Sequence, residues 1–236
     1  MNNTLKRNLL HKVFLKMESK KILILYHSSY LLRCFLFCEM LPYFSSKNLY
    51  FIILSDIMHR RLKETYESFK RVKPEIAEIF DRARVVKIGS KRGVAFGELC
   101  EFITLSEHWY RELPKVLTTL GEDDVLVTHG FSVLPILHKD FLKVVIQILD
   151  LLPEEVTFIS KFPKELESSM MMECKFMNRL FDMVLRIEES EDYFSKSYLL
   201  HVEESILVDF EPLTIRLDLP SFLPHYTQPK IETSKF

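Results

Sequence analysis

The sequence predicts a three-layer α/β fold: a mostly parallel sheet flanked by helices, ending in C-terminal antiparallel hairpin strands. Three observations carry this. First, the runs at residues 22–26, 49–54, 84–88, 125–130 and 156–160 are apolar and β-rich without clear alternation, as expected of strands covered on both faces. Second, stretches of helical character separate these runs, and alternation of strand and helix specifies parallel pairing through crossovers. Third, beyond residue 187 the pattern changes to short strands with tight connections, which fits hairpins extending one edge.

The bulk properties agree. The chain has 236 residues, 47% hydrophobic and 28% charged, a globular balance with enough length for one full core. A formal net charge of -1 gives no global field toward nucleic acid or membrane. The apolar runs are too short or interrupted to span a bilayer, and no signal-peptide core follows the basic N-terminus, so a cytoplasmic protein without membrane attachment is expected. Glutamine occurs only at Gln147 and Gln228 while Lys and Glu abound, a bias that fits a thermophile.

Residues 1–16 place Leu5, Leu9, Leu10, Val13 and Phe14 at roughly helical spacing among Lys6, Arg7, Lys12 and Lys16. One reading is a basic amphipathic helix for a membrane surface or nucleic acid. The helix is short and its charge ordinary, which favours a helix packed on the domain, or an extension ahead of a start at Met17. The chain thus divides into a basic helix or extension at 1–20, one domain at 21–219, and an extended or disordered tail at 220–236 with three prolines.

After the strand at 22–26, residues 30–41 read as a helix apolar on most faces and ended by Pro42. Cys34 and Cys38 share one face of it and lack the second pair a zinc site needs, so they read as core-facing thiols. Strand 49–54 leads through Asp56 into a charged helix at 57–71, and Pro74 opens another at 74–82. Segment 89–97 holds three of the five glycines. It is either a mobile loop whose amides, with Lys91 and Arg92, meet an anion, or a wide turn rejoining a helix. Residues 98–120 read as a helix kinked near Pro114 and closed at Gly121. Residues 135–152 read as one long helix, and 165–179 as a helix whose Met170, Met171 and Met172 fill core gaps. Strands at 183–187, 197–203, 205–209 and 213–219 complete the chain.

Open α/β sheets bind ligands outside the carboxyl ends of their strands. His27, Ser28, Ser29, Asp56 and His129 all follow strands ending on that edge, and form the candidate ligand-binding set. Two histidines with a carboxylate have the chemistry to hold a metal or relay a proton, although a histidine at a strand end is more commonly a satisfied polar group. Residues 98–219 contain no Ser-His-Asp spacing, nucleophile elbow or HExxH pattern, nor does the rest of the chain. No catalytic residue, metal or cofactor is assigned.

Segment 123–132, the strand at 156–160 ending in a polar residue, and Phe181-Asp182-Met183-Val184-Leu185-Arg186-Ile187 fall in a recognisable order. That order, with the terminal hairpins, resembles the RecA-like ATPase core, above all the KaiC and RadB branch found in archaea. The resemblance implies a phosphate loop after the first strand and an acidic magnesium ligand at the end of strand 125–130. Where the glycine-rich G-x-x-x-x-G-K-[ST] loop would stand, the chain has Tyr26-His27-Ser28-Ser29-Tyr30-Leu31-Leu32-Arg33, with neither glycine nor lysine. Where the acidic residue would stand, it has Thr128-His129. The chain is similar in this to proteins of hyperthermophilic archaea that keep a RecA-like layout with eroded nucleotide motifs. The expected function is a non-catalytic module acting through protein contact, as a homo-oligomer or accessory subunit. One alternative is a small-ligand or metal site, enzymatic in the extreme, rebuilt at the carboxyl edge. Another is nucleic-acid binding through Arg60, Arg61, Lys87, Lys91, Arg92 and the basic N-terminus, which the balanced net charge disfavours.

Overall fold

In the computed structural model the described residues are 3–165, 176–190, 196–205 and 212–220. Among them are nine strands: β1 (Lys21–Tyr26), β2 (Asn48–Leu54), β3 (Arg84–Gly89), β4 (Glu98–Thr104), β5 (Asp124–His129), β6 (Thr157–Pro163), β7 (Met183–Glu189), β8 (Ser197–Ser205) and β9 (Leu213–Asp218). They form one sheet in the order β4-β3-β2-β5-β6-β1-β7-β8-β9. Pairing is parallel from β4 through β7 and antiparallel from β7 to β9. The non-alternating apolar runs are the central strands, because both of their faces are covered: Ile22, Leu23, Ile24 and Leu25 are each at most 2% exposed.

Helices sort to two faces by where their apolar side chains go. On one lie α1 (Asn3–Met17), α2 (Ser29–Cys34), α3 (Leu41–Tyr43), α4 (Asp56–Val72) and α5 (Pro74–Asp81). On the other lie α6 (Pro114–Leu117), α7 (Leu134–Leu137) and α8 (Phe141–Leu151). Helix α1 buries Leu10, Val13, Phe14 and Met17, a stripe at helical spacing, and Lys6 reaches Asp218 of β9 at 3.3 Å. Its apolar face is therefore spent on the core. Cys34 is likewise buried in the core, as its helical position predicts. Among the described residues no helix is long and apolar enough to cross a membrane.

The helix after β1 does not stop at Pro42. It passes through a π-helical turn, Phe35–Met40, into α3. A proline inside a helix removes a donor and crowds the carbonyl four residues back, and the widened turn ahead of Pro42 relieves that crowding.

Residues 98–120 depart most from expectation. Instead of a helix they form β4, a 3₁₀ turn at Trp109–Glu112, and α6. Parallel neighbours usually need a helical crossover, but residues 90–97, when extended, reach about 26 Å, more than the roughly 20 Å of a six-residue strand. The chain thus runs straight back along the sheet. Phe96 anchors the return among Phe51, Tyr66 and Phe80, with ring centroids 4.9–5.7 Å apart. Gly97 then turns at φ +65, so close that a Cβ there would sit 2.2 Å from the Ala83 carbonyl oxygen. That oxygen accepts the Glu98 N–H at 2.9 Å and sets the start of β4. The glycine-rich stretch is a packed crossover, with Lys91 and Arg92 exposed along it.

The long helix expected at 135–152 is also broken, into α7 and α8, with a 3₁₀ turn at Phe131–Val133 ahead of them. The buried Trp109 indole needs a partner and donates to the His138 ring at 3.0 Å, which holds residues 138–140 outside either helix. Strand β8 runs unbroken to Ser205, so the two strands expected at 197–203 and 205–209 are one as far as Ser205. Residues 206–209, most of the helix expected at 165–179 with its methionines, and nearly all of the tail lie outside the described residues.

Replacing Gly97 by alanine should destabilise the fold by about 2 kcal/mol or more, from clash with the Ala83 carbonyl plus a strained φ. Urea unfolding checks this; a change within experimental error would show that β4 does not depend on that close approach.

Candidate functional site

The chain leaves β1 and β2 toward the face of α2 and α4, and leaves β5 toward the face of α7 and α8. Such a divergence opens a crevice at the carboxyl edge of a doubly wound sheet, here over β5 and β6. Ile53 of β2 pairs with His129 of β5, and Val127 pairs with Ile159 of β6, so two residues further on His129 and Lys161 come level. Lys161 in turn pairs with Ile24 of β1. Ile24 and Ile53 belong to the core beneath α2 and α4, so alternation along the strands sends His129 and Lys161 to that face. One residue earlier, Thr128 and Ser160 point the other way and hydrogen-bond each other at 3.0 Å.

Between α2 and α4 lies a cavity of about 290 Å³ floored by His129, Gly130 and Lys161, with Tyr26, Ser29, Arg33, Met58, Arg61 and Glu64 around it. Lys161 is 7% exposed and has neither hydrogen bond nor ion pair among the described residues. Burial without a counter-charge pulls its ammonium down to about 7. The ring nitrogens of His129 are shielded from solvent without a well-aligned partner. Burial, then Lys161 and Arg61, push its pKa well below the usual histidine range, against a smaller opposing pull from the Met58 backbone. His129 is therefore a neutral imidazole. Gly130, at φ +97, lets β5 end against β2: a Cβ there would meet the Leu54 carbonyl oxygen at 2.5 Å.

The residues expected to share this edge go to three places. Ser28 caps α2, its Oγ accepting the Leu31 N–H at 3.5 Å, while Ser29 starts the helix and borders the cavity. His27 is 45% exposed and faces Glu165 and Glu188, each at 3.7 Å, on the side of β7. Asp56 begins α4 and is taken up elsewhere: its Oδ2 accepts the Ser90 N–H at 2.9 Å and the Ser90 hydroxyl at 2.6 Å. Its Oδ1 pairs with Lys87 at 3.1 Å, and Lys87 also donates to the Gly93 carbonyl at 2.7 Å. Partial burial raises the Asp56 pKa, but the Ser90 bonds and Lys87 outweigh it and hold the carboxyl well below the usual range. The expected grouping of His27, Asp56 and His129 is thus corrected; only Ser29 and His129 of the predicted set meet at the cavity. The reason is that a buried ammonium on β3 draws the Asp56 carboxylate sideways. Among the described residues no three His, Cys, Asp or Glu side chains converge as a metal site.

Lys161 is the residue that the sequence reading passed over. Its signal was available: a lysine inside a parallel strand with no other charge, between the apolar Ile159 and Phe162, must find a counter-charge, a cavity or a lowered pKa. Arg61, placed above in a basic nucleic-acid patch, stands at the mouth of the cavity, while Lys87 is only 2% exposed and withdrawn from that patch.

The sequence matches no protein-family model and no curated protein. The fold does match solved structures. PH0250 of Pyrococcus horikoshii OT3 superposes with a TM-score of 0.58 at 14% identity, over 91% of this chain and 98% of its own. The KaiC-like protein PH0186 of the same archaeon gives 0.54 at 11% identity over 84% of each chain. PH0321 of Pyrococcus horikoshii, solved with an unknown peptide, gives 0.52 at 14% identity over 84% of this chain and 92% of its own. At such identities the likeness concerns the fold alone, and that fold is the RecA-like α/β sheet with its antiparallel terminal strands.

Replacing Asp56 by asparagine should cost about 2 kcal/mol, since Lys87 would stay buried without its counter-ion. Because the folded carboxyl is held below its unfolded value, its contribution is fully present above about pH 4 and fades as pH falls further. Chemical unfolding of both proteins at neutral and acid pH checks this: the gap should narrow at low pH, and a constant gap would exclude the ion pair as its source.

Proposed function

We propose that this chain is a RecA-fold module that does not hydrolyse ATP and works through contact with another protein or with copies of itself. The observation that carries the reading is the join between β1 and α2. The strand ends at Tyr26 and the helix begins at Ser29, so two residues stand where a phosphate loop would need many. Ser28 spends its hydroxyl on the helix cap, and Leu31 and Leu32, 4% and 5% exposed, fill the space beneath. Glycine-rich phosphate loops work because their backbone amides can approach the anion closely; this junction contains no glycine.

Two further facts support it. Asp56 is held by Ser90 and Lys87, and β5 ends in a neutral histidine, so neither offers a free carboxylate to magnesium. On the opposite face, Ile136 is 78% exposed and Leu137 45% exposed, apolar area of the kind that contact surfaces use. The peptide found with PH0321 belongs to that protein, but it makes peptide capture a reasonable form for the contact to take here.

Titration with ATP and magnesium should give no binding at micromolar concentrations and no phosphate release. Micromolar affinity would sink the proposal. In light scattering of the chain with and without Ile136→Asp and Leu137→Asp, any self-association seated on this surface should fall to monomer in the double variant.

A further inference from the structure

We propose that the cavity between α2 and α4 is a binding site for a small oxyanion, a carboxylate or a phosphate-type group, received by Lys161 with Arg61 and the His129 imidazole. The proposal is independent of the assembly reading: the receiving groups are side chains of β5, β6 and α4, while Tyr26, Ser29 and Arg33 at the β1–α2 junction supply the facing wall.

The argument begins with charge. Among the described residues lining the cavity are Lys161, Arg61, Arg33 and His129, with Glu64 the one carboxylate and the Tyr26 phenol the remaining titratable group. Tyr26 stays neutral, its pKa raised by burial and by Glu165. Glu64 is exposed, and no carboxylate pairs with Lys161 among the described residues. Lys87, three strands away on the same face of the sheet, shows what a structural lysine does here: it takes a carboxylate and a backbone carbonyl. Lys161 has neither, yet it borders a void. A buried lysine facing a cavity without a partner is costly as structure and well placed as an anion receptor.

Geometry fixes the class of ligand. His129, neutral, has one N–H to donate, and Ser29 and Ser132 add hydroxyls at the wall. A volume of about 290 Å³ lies at the small end of ligand pockets, right for a small acid and short of a nucleoside triphosphate. A cation is excluded by the like charges already present. Because Lys161 sheds its proton near neutrality when the cavity is empty, an entering anion must draw that proton back, so binding and proton uptake are coupled.

The test is calorimetric titration of the whole chain with sulfate and, separately, malonate, whose charges change little between about pH 6.5 and about pH 9. Affinity should fall on the order of 50-fold across that range, with uptake of about one proton at the alkaline end. Tighter sulfate assigns a phosphate-type ligand; tighter malonate assigns a carboxylate. Lys161→Met should abolish binding and, by removing an unpaired buried ammonium, raise the melting temperature at pH 6.5. Arg61→Gln should weaken binding about 10-fold without moving the pH profile. Without ligand, stability should rise with pH from about 7 toward about 10, because over that window the unfolded chain binds a proton that the folded one has lost. No binding of either anion at about 10 mM, a flat pH profile, or full binding by Lys161→Met overturns the proposal. Should Lys161→Met fail to fold by circular dichroism, the pH profile and Arg61→Gln carry the decision.

Discussion

Cationic side chains on the buried face of a parallel sheet are the constraint from which much of this molecule follows. Lys87 and Lys161 lie near the carboxyl ends of β3 and β6 and point to the face covered by α2 and α4. An ammonium taken from water into that interior must be paired, neutralised or given a ligand. The two lysines resolve the demand differently. Lys87 recruits Asp56 at the first turn of α4 and the Gly93 carbonyl of the crossover, and so ties three chain segments together. Lys161 recruits nothing and is left beside a cavity.

The Lys87 solution has consequences for the edge around it. Asp56 lies so close to Gly89 that a Cβ there would approach its Oδ1 to 2.9 Å. Ser55, immediately before it, is held at φ 80 and ψ 151, a region that side chains seldom occupy and that costs on the order of 1–3 kcal/mol. Its backbone N–H is fixed by the Ile88 carbonyl at 2.8 Å and its hydroxyl caps α4 at Met58. The strain therefore sits at the join of β2 and α4, where strand end, helix start and the buried ion pair must all be satisfied. Gly130 meets the same crowding from the β5 side without a side chain to place.

The layout of the fold was largely legible. Central strands announce themselves as unalternating apolar runs because both faces are covered, and the change to hairpins after residue 187 follows from the shortness of the connections. Helix α1 was legible from the spacing of Leu5, Leu9, Leu10, Val13 and Phe14, of which Leu10, Val13 and Phe14 are buried together with Met17 while Leu5 is exposed. What misled was local resemblance to helix in residues 98–104: an edge strand is buried on little of its surface, so its pattern is polar and mixed, and its pairing with β3 is set by Gly97 and Phe96 instead. The break at residues 138–140 depends on Trp109, twenty-nine positions earlier in the chain, which no local window contains.

By itself the sequence determined the class of fold, the order of strands and helices outside residues 98–120, and a first junction, Tyr26 to Arg33, without the glycines that close approach to phosphate requires. Those are properties of composition and spacing along the chain. Only the tertiary structure decided which polar residues meet. It sent His27 toward Glu188, bound Asp56 to Lys87, and set His129 level with Lys161. Strand register and the covering helices make those choices, and both arise from contacts between residues far apart in sequence, so the site could be read only once the sheet had been assembled.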